Sequence, residues 1–298
     1  MWCILEGPDG AGKTTLARDL ERAAPGGYRH AGPTDQLPVL ARRMFDDCPL
    51  YHEVDVVWDR AHLGNHVYGL LDRGGSDWRD SGHAWRIALE AFLIDRGAHC
   101  YFMTADISVL RRRKPDESYE RLVSQLGYFE EAMEASFLDW ALLDGGQPIG
   151  VDEIDTTDAG ASPDPLGIGT REPKVWVLGE QLSSKSPGNM DWPFLTRSGL
   201  DLVWPVVNPN YVRVSNALWG PGQEALGVNG RGLLWRRWEA LGFPAVVALG
   251  RVAAEACEAA GVQIVTELSH PQWHARFRAK DPNGYRFQLA QELGLLCA

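Results

Sequence analysis

Apolar positions along the chain switch repeatedly between short unbroken runs and helical i, i+3, i+4 spacing. Trp2 to Leu5 is such a run, and helical spacing follows it from Thr14 to Ala24. The segment Val54 to Trp58 precedes a helix predicted from about Ala61 to Leu71. Ala84, Ile87, Ala88, Ala91 and Phe92 then share one helical face, Gly97 stops that helix, and Cys100 to Met103 forms another strand. Strands alternating with helices predict βαβ units around a mainly parallel sheet, an α/β fold.

Between Asp155 and Pro173 the periodicity gives way to Asp, Thr, Gly, Ala, Ser and Pro, the composition of a linker. The pattern then restarts. Strands are predicted at Val175–Leu178, Tyr211–Val214, Ala245–Leu249 and Val262–Val265, with helices near Leu233–Leu241 and Val252–Ala260. The expected organisation is a first α/β domain over residues 1–155, a linker over 156–173 and a second, smaller α/β domain over 174–298.

Composition narrows the class. With 45% hydrophobic and 23% charged residues the chain fills ordinary globular cores, which excludes disordered and collagen-like proteins. No apolar run approaches the roughly 18 residues needed to span a bilayer. The N-terminus runs into a Gly-rich motif without a basic leader, so a soluble, cytoplasmic chain without membrane partners is expected. Five scattered cysteines form no CxxC pair and are read as reduced thiols. Charge is uneven: residues 1–170 carry 16 basic against 29 acidic residues, and residues 171–298 carry 13 against 11. An acidic first half argues against a broad DNA-binding face there, whereas the second half can approach phosphates.

The sharpest motif is Gly7-Pro8-Asp9-Gly10-Ala11-Gly12-Lys13-Thr14, which satisfies GxxxxGK[ST] between a strand and a helix. Gly7, Gly10 and Gly12 let the backbone wrap phosphate oxygens, and the helix N-terminus at Thr14 and Thr15 adds positive potential. Lys13 is expected to neutralise the β and γ phosphates of ATP, and Thr14 to hold Mg²⁺. Glu6 through Thr15 resembles the opening of the thymidylate kinases, P-loop nucleoside monophosphate kinases, and the likeness extends loosely over about 150 residues. It implies that Asp9 contacts the sugar of the acceptor nucleotide. Val56-Val57-Trp58-Asp59-Arg60 is similar to that family's strand ending in an Asp-Arg pair, which implies a metal role for Asp59 and a grip on the acceptor phosphate for Arg60. A helix cap with a surface arginine fits Asp59-Arg60 as well.

Arg111-Arg112-Arg113-Lys114 is the densest basic run in an acidic half, and an anionic partner accounts for it. It precedes a helical region expected from Glu117 to Leu143, where that family has its lid. The resemblance therefore implies that Arg111, Arg112 and Arg113 stabilise the transferring phosphoryl group; a solvated basic helix end is the alternative. His30-Ala31-Gly32-Pro33-Thr34 is the corresponding candidate acceptor loop.

In the second half, Val175–Glu180 delivers Gly179 and a carboxylate to the end of a strand, where open α/β sheets place ligands. With Trp192–Gly199, Val214–Ala217, Ala248–Ala254 and Ser269-His270-Pro271 it resembles the uracil-DNA glycosylase superfamily, a three-layer α/β fold. The resemblance implies that Glu180 handles the water or sugar cation, Phe194 stacks on the base, Asn216 reads its edge and His270 faces O2. A flipped pyrimidine needs such an aromatic platform and such donors. Two cysteines, Cys257 and Cys297, exclude an iron–sulfur cluster there, and Gln181-Leu182-Ser183-Ser184-Lys185 departs from the family pattern. Asn216 as a turn residue and His270 as a loop histidine remain alternatives. Trp273, Arg276, Arg278 and Lys280 fit either a nucleic-acid grip or a solvated basic segment.

These readings converge on an ATP- and Mg²⁺-dependent kinase for a thymidine-like deoxypyrimidine, joined to a base-recognition domain. The acceptor is either a dTMP-type nucleotide or 5-hydroxymethyluracil, free or in DNA, and the second setting suits a bacterial virus. A nucleotide-dependent module binding modified DNA, and a bifunctional kinase and base-cleaving glycosylase, are the rivals.

Overall fold

The computed structural model describes residues 2–22, 27–32, 36–46, 55–75, 78, 81–146, 149, 154–155, 162–164, 167–181, 192–218, 228–277 and 281–298. The chain forms two compact α/β units. The first comprises Met1–Arg86 with Arg96–Gly160, and the second gathers Ile87–Asp95 with Ala161–Ala298. Among the described residues no helix is long and apolar enough to cross a membrane.

In the first unit β1 (Trp2–Glu6), β2 (Tyr28–His30), β3 (Val56–Asp59), β4 (His99–Thr104) and β5 (Trp140–Asp144) form a sheet in the order β2-β3-β1-β4-β5. Every pairing in it is parallel. Parallel neighbours need crossovers, and helices α1 (Lys13–Glu21), α2 (Leu37–Asp46), α3 (His62–Arg73), α4 (Ser81–Asp95), α5 (Ile107–Arg113) and α6 (Tyr119–Glu134) lie between the strands in sequence. β1 and β3 are buried throughout, as their unbroken apolar runs require. The chain leaves β1 toward β2 on one side and leaves the adjacent β4 toward β5 on the other, so a crevice opens between their carboxyl ends, where the glycine-rich loop begins.

The helix expected from Glu117 to Leu143 ends at Glu134, and Trp140–Asp144 is strand β5. A run of four apolar residues, Trp140 to Leu143, is too short for periodicity to separate strand from helix. As an edge strand with Leu142 exposed, β5 also lacks the buried signature of its neighbours.

The second unit's sheet runs β10-β9-β7-β8-β6, with β6 (Gly167–Gly169), β7 (Val175–Gln181), β8 (Val212–Leu218), β9 (Ala245–Leu249) and β10 (Ile264–Leu268). Its pairings are parallel except that β6 runs antiparallel to β8. Trp176, Leu178, Val246, Cys257 and Leu234 share one core on a face of this sheet, with α8 (Val228–Ala240) and α9 (Arg251–Ala260) supplying the covering side chains. The segment read as a linker supplies β6 and the buried Asp164 to this unit. α7 (Arg197–Leu202), α10 (Pro271–Phe277) and α11 (Pro282–Cys297) complete it.

Candidate functional sites

The loop after β1 is built against backbone. Gly7 has φ 140°, and a Cβ there would stand 2.0 Å from the carbonyl oxygen of Met103, so only glycine fits. Lys13 opens α1 with its side chain buried, and Nζ donates to the carbonyls of Gly7 (2.7 Å) and Pro8 (2.8 Å). Burial lowers its pKa to about 8, helped by Arg60 and opposed by Asp59, Asp9 and Glu6. Next to it, the Thr14 hydroxyl donates to Asp59 Oδ2 at 2.6 Å, and the Tyr28 hydroxyl donates to the same oxygen at 2.9 Å. Burial, with Asp59 nearby, pushes the Tyr28 phenol up to about 12, so it stays a donor.

Asp59 is fully buried at the end of β3, and its Oδ1 has no hydrogen-bond partner. An orphaned carboxylate oxygen beside a hydroxyl is a hard-oxygen donor set, and it suits Mg²⁺ better than a soft metal. Thr14 and Asp59 are therefore the residues that fit the ion.

Arg60, at φ 68°, adopts a backbone uncommon for arginine. Its guanidinium pairs with the Asp9 carboxylate and lies 4.6 Å over the Tyr68 ring. The turn is held from below by Glu6, a buried carboxylate accepting from the backbone N–H of Ala61 (2.8 Å) and of Gly64 (3.1 Å) at the start of α3. Burial raises the Glu6 carboxyl, against lowering by His62, those two N–H groups and Lys13. From α6, the Gln125 side-chain oxygen accepts from the Asp9 N–H at 3.0 Å.

An open cavity of about 610 Å³ joins these groups. Gly10, Gly12, Lys13, Thr14 and Thr15 form its floor, with Asp9 and Arg60 on its wall. Arg113 lines it as well, donating to the carbonyls of Gly10 (3.0 Å) and Gly145 (2.6 Å); all three arginines of the last turn of α5 are exposed, and Arg111 and Arg112 do not line the cavity. Of the candidate acceptor loop, His30 has Nδ1 3.5 Å from Asp59 Oδ2; Pro33 and Thr34 lie outside the described residues.

In the second unit β7 carries Gly179 opposite Asn216 of β8. A Cβ on Gly179 would stand 2.3 Å from the tip of the Phe194 ring and 2.8 Å from Asn216 Oδ1, so the missing side chain is what lets the ring and the amide approach. Phe194 itself has φ 56°, and its ring centroid is 6.3 Å from that of His270. His270 Nδ1 accepts from the Gln272 N–H (3.2 Å), which leaves the proton of the neutral ring on Nε2; burial lowers its pKa and favours that neutral form. Glu180 and His270 line one cavity of about 480 Å³ with Arg251, Glu267, Trp273 and Arg276. The four candidate residues of this half thus form a chain of neighbours: Asn216 and Phe194 meet at Gly179, Phe194 meets His270, and His270 shares a cavity with Glu180. Leu182–Lys185, Arg278 and Lys280 lie outside the described residues.

No protein-family model matches the chain, and no curated protein does. Among solved structures it is similar to YorR from Bacillus subtilis, described in complex with phosphorylated GDP. That similarity has 21% identity and a TM-score of 0.41, and it covers 49% of this chain and 87% of that one.

Sequence reasoning missed Glu6, Tyr28, Tyr68 and Gln125 around the first site, and Asp95, Asp164, Arg213 and Arg237 in the second unit. Glu6 had a visible signal, a carboxylate directly before Gly7 at the end of an apolar strand. The others come from separate elements, and no local spacing marks them.

Proposed function

We propose that the chain is an ATP- and Mg²⁺-dependent kinase that phosphorylates a thymidine-like deoxypyrimidine, with its second unit recognising the pyrimidine base. The acceptor is a dTMP-type nucleotide or 5-hydroxymethyluracil, free or in DNA. The observation that carries the reading is the convergence of Lys13, Thr14 with Asp59, and the Asp9–Arg60 pair on one cavity. Phosphoryl transfer asks a protein mainly for positioning and for charge placed where charge develops, and these residues supply both.

In this reading the loop N–H groups and Lys13 bind the donor's β and γ phosphates. Thr14 and Asp59 would hold Mg²⁺, which when bound would neutralise phosphate charge. Arg60 grips the acceptor's phosphate and Asp9 orients its sugar. The acceptor oxygen, an ionised phosphate oxygen of the nucleotide or a hydroxymethyl oxygen that gives up its proton to solvent, forms its bond to the γ phosphorus as the bond to the β-phosphate oxygen breaks, and ADP leaves. Arg113 adds positive charge at the rim of the same cavity. In the second unit Phe194 offers the base a stacking face, Asn216 an amide for its edge, and His270 an Nε2–H donor.

Labelled ATP assayed in parallel on dTMP, hydroxymethyl-dUMP and hydroxymethyluracil-containing DNA tests this. Transfer to at least one of them, absent in Lys13→Ala, is expected. No transfer above that variant's background to any of the three would overturn the assignment.

A further inference from the structure

The second unit hides four ionised side chains, Asp95, Asp164, Arg213 and Arg237, all at most 3% exposed as side chains. They are linked in series. Arg213 Nη2 lies 2.8 Å from Asp95 Oδ1, and its Nε lies 3.4 Å from Asp164 Oδ2. The other Asp164 oxygen accepts from Arg237 Nε at 2.7 Å. Burial would raise the Asp164 carboxyl, but Arg237 and Arg213 together pull it below the usual carboxylate range, so the network stays charged.

The two arginines have different tasks. Arg213 spends its donors on the carbonyls of Asp164, Gly167, Gly169 and Thr170, fastening the edge strand β6 and the turn before it. Arg237 reaches the other way. Its Nη2 donates to the Ser215 hydroxyl and, at 2.9 Å, to the carbonyl oxygen of Asn216, while its guanidinium lies 5.1 Å from the centre of the Trp176 ring. The β6 pairing on that side of β8 is registered from Arg213 to Ser215, so at Asn216 the arginine takes the place of a strand neighbour.

That carbonyl belongs to the residue whose amide meets Phe194 at Gly179. Short polar ends of strands drift unless both edges are held, and a planar guanidinium anchored by a carboxylate holds one rigidly. We infer that Arg237 is a positioning residue: through Ser215 and the Asn216 carbonyl, with Asp164 as its anchor, it sets the orientation of the Asn216 amide and thereby which pyrimidine edge the second unit accepts. The part of this inference that concerns base choice rests on the proposed base-recognition role of the second unit; the part that concerns geometry does not. A buried ion pair that merely supported the fold would do as well with the strand slightly shifted, whereas an edge-reading amide would not.

The test uses the full chain as wild type, Arg237→Lys and Ser215→Ala. The lysine keeps a charge for Asp164 but cannot span three acceptors, so the fold has its counter-ion. Asparagine-selective ¹⁵N labelling reads the Asn216 side-chain amide directly. In Arg237→Lys its signals are expected to shift and broaden, with a smaller change in Ser215→Ala. Binding to fluorescent single-stranded oligonucleotides of dT and dC reads the consequence. The dT preference is expected to drop by about tenfold in Arg237→Lys, through weaker dT binding with dC affinity little changed. Unchanged Asn216 signals overturn the inference, and so does parallel weakening for both oligonucleotides, the mark of a purely structural role. A wild type without dT preference defeats the base-recognition reading instead, and the amide signals then decide the positioning claim alone.

Discussion

The two candidate sites place their charge differently. In the first unit Lys13, Asp9, Arg60 and Arg113 stand on the wall of the cavity itself, each held by a neighbour of opposite sign or by backbone carbonyls. In the second, a phenyl ring, an amide and a neutral imidazole neighbour one another beside a cavity that Glu180, Arg251, Glu267 and Arg276 line, and a further set of charges, Asp164, Arg213 and Arg237, is buried in a network that meets Asn216 at its backbone carbonyl. The difference matches what each would handle. Transferring a multiply charged phosphoryl group requires exposed, preorganised charge, whereas reading a neutral base requires unshielded hydrogen-bonding groups whose surroundings cannot move. The first unit thus gathers its charges on a cavity, and the second also buries a charged network behind the strand that carries Asn216.

The contrast breaks most sharply at Lys13. Lys13→Ala is expected to lower turnover by about 100- to 1,000-fold, with unchanged circular dichroism, because the lost group neutralises charge that grows in the transition state. A folded variant with near-normal turnover would show that this cavity only binds nucleotide. Arg113→Ala is expected to cost on the order of a hundredfold in kcat and less in ATP affinity, with Arg111→Ala and Arg112→Ala milder since, of the three, Arg113 lines the cavity. Should ATP binding alone suffer, Arg113 is a brace for the loop through Gly10 and Gly145.

In the second unit the matching experiment is Gly179→Ala. Its new methyl would collide with the Phe194 ring and the Asn216 amide, and overpacking of this kind costs about 1–3 kcal/mol, read here as weaker binding of a pyrimidine oligonucleotide with kinase activity on free nucleotide retained. Equal loss in both assays would mean that the two sites are not separable.

Two pH experiments sharpen the comparison with smaller effects. Lys13, with a pKa near 8 in the free protein, needs its proton to hold phosphate. ATP affinity should therefore weaken as pH rises through about 8, and calorimetry near pH 8 in buffers of different ionisation heat should show net proton uptake on binding. His270 behaves in the opposite sense. Its folded pKa lies below the ordinary 6.5, so the unfolded chain takes up the proton first, and stability is lost as pH falls from about 6.5 toward the folded value. Chemical denaturation between pH 7 and pH 5 should show a steeper loss for wild type than for His270→Gln.

Much of the fold was legible because buried parallel strands are continuous apolar runs. β1, β3, β4, β7 and β9 all lie where such runs stand in the sequence. Strands β2, β5 and β6 were not: β2 and β6 span three residues each, and β2 and β5 lie at an edge and bury little. β6 in particular sits inside a Pro- and Gly-rich stretch that composition marks as linker. The first candidate site stood out for a related reason: the GxxxxGK[ST] pattern is contiguous, so eight neighbouring residues mark the loop after β1.

By itself, then, the amino-acid order determined an α/β chain with a glycine-rich GxxxxGK[ST] loop after its first strand, and it singled out an Asp-Arg strand end and four polar or aromatic residues in the second half. Tertiary structure alone decided that Tyr28 and Thr14 share one oxygen of Asp59, that Glu6 braces the turn carrying Arg60, that Arg113 rests on the loop's carbonyls, and that Arg237 holds Asn216. These contacts join residues 21 to 103 positions apart, across strands whose order in the sheet no local pattern encodes. A hydrogen bond or ion pair depends on distance in space, and only the packing of the sheet sets that distance.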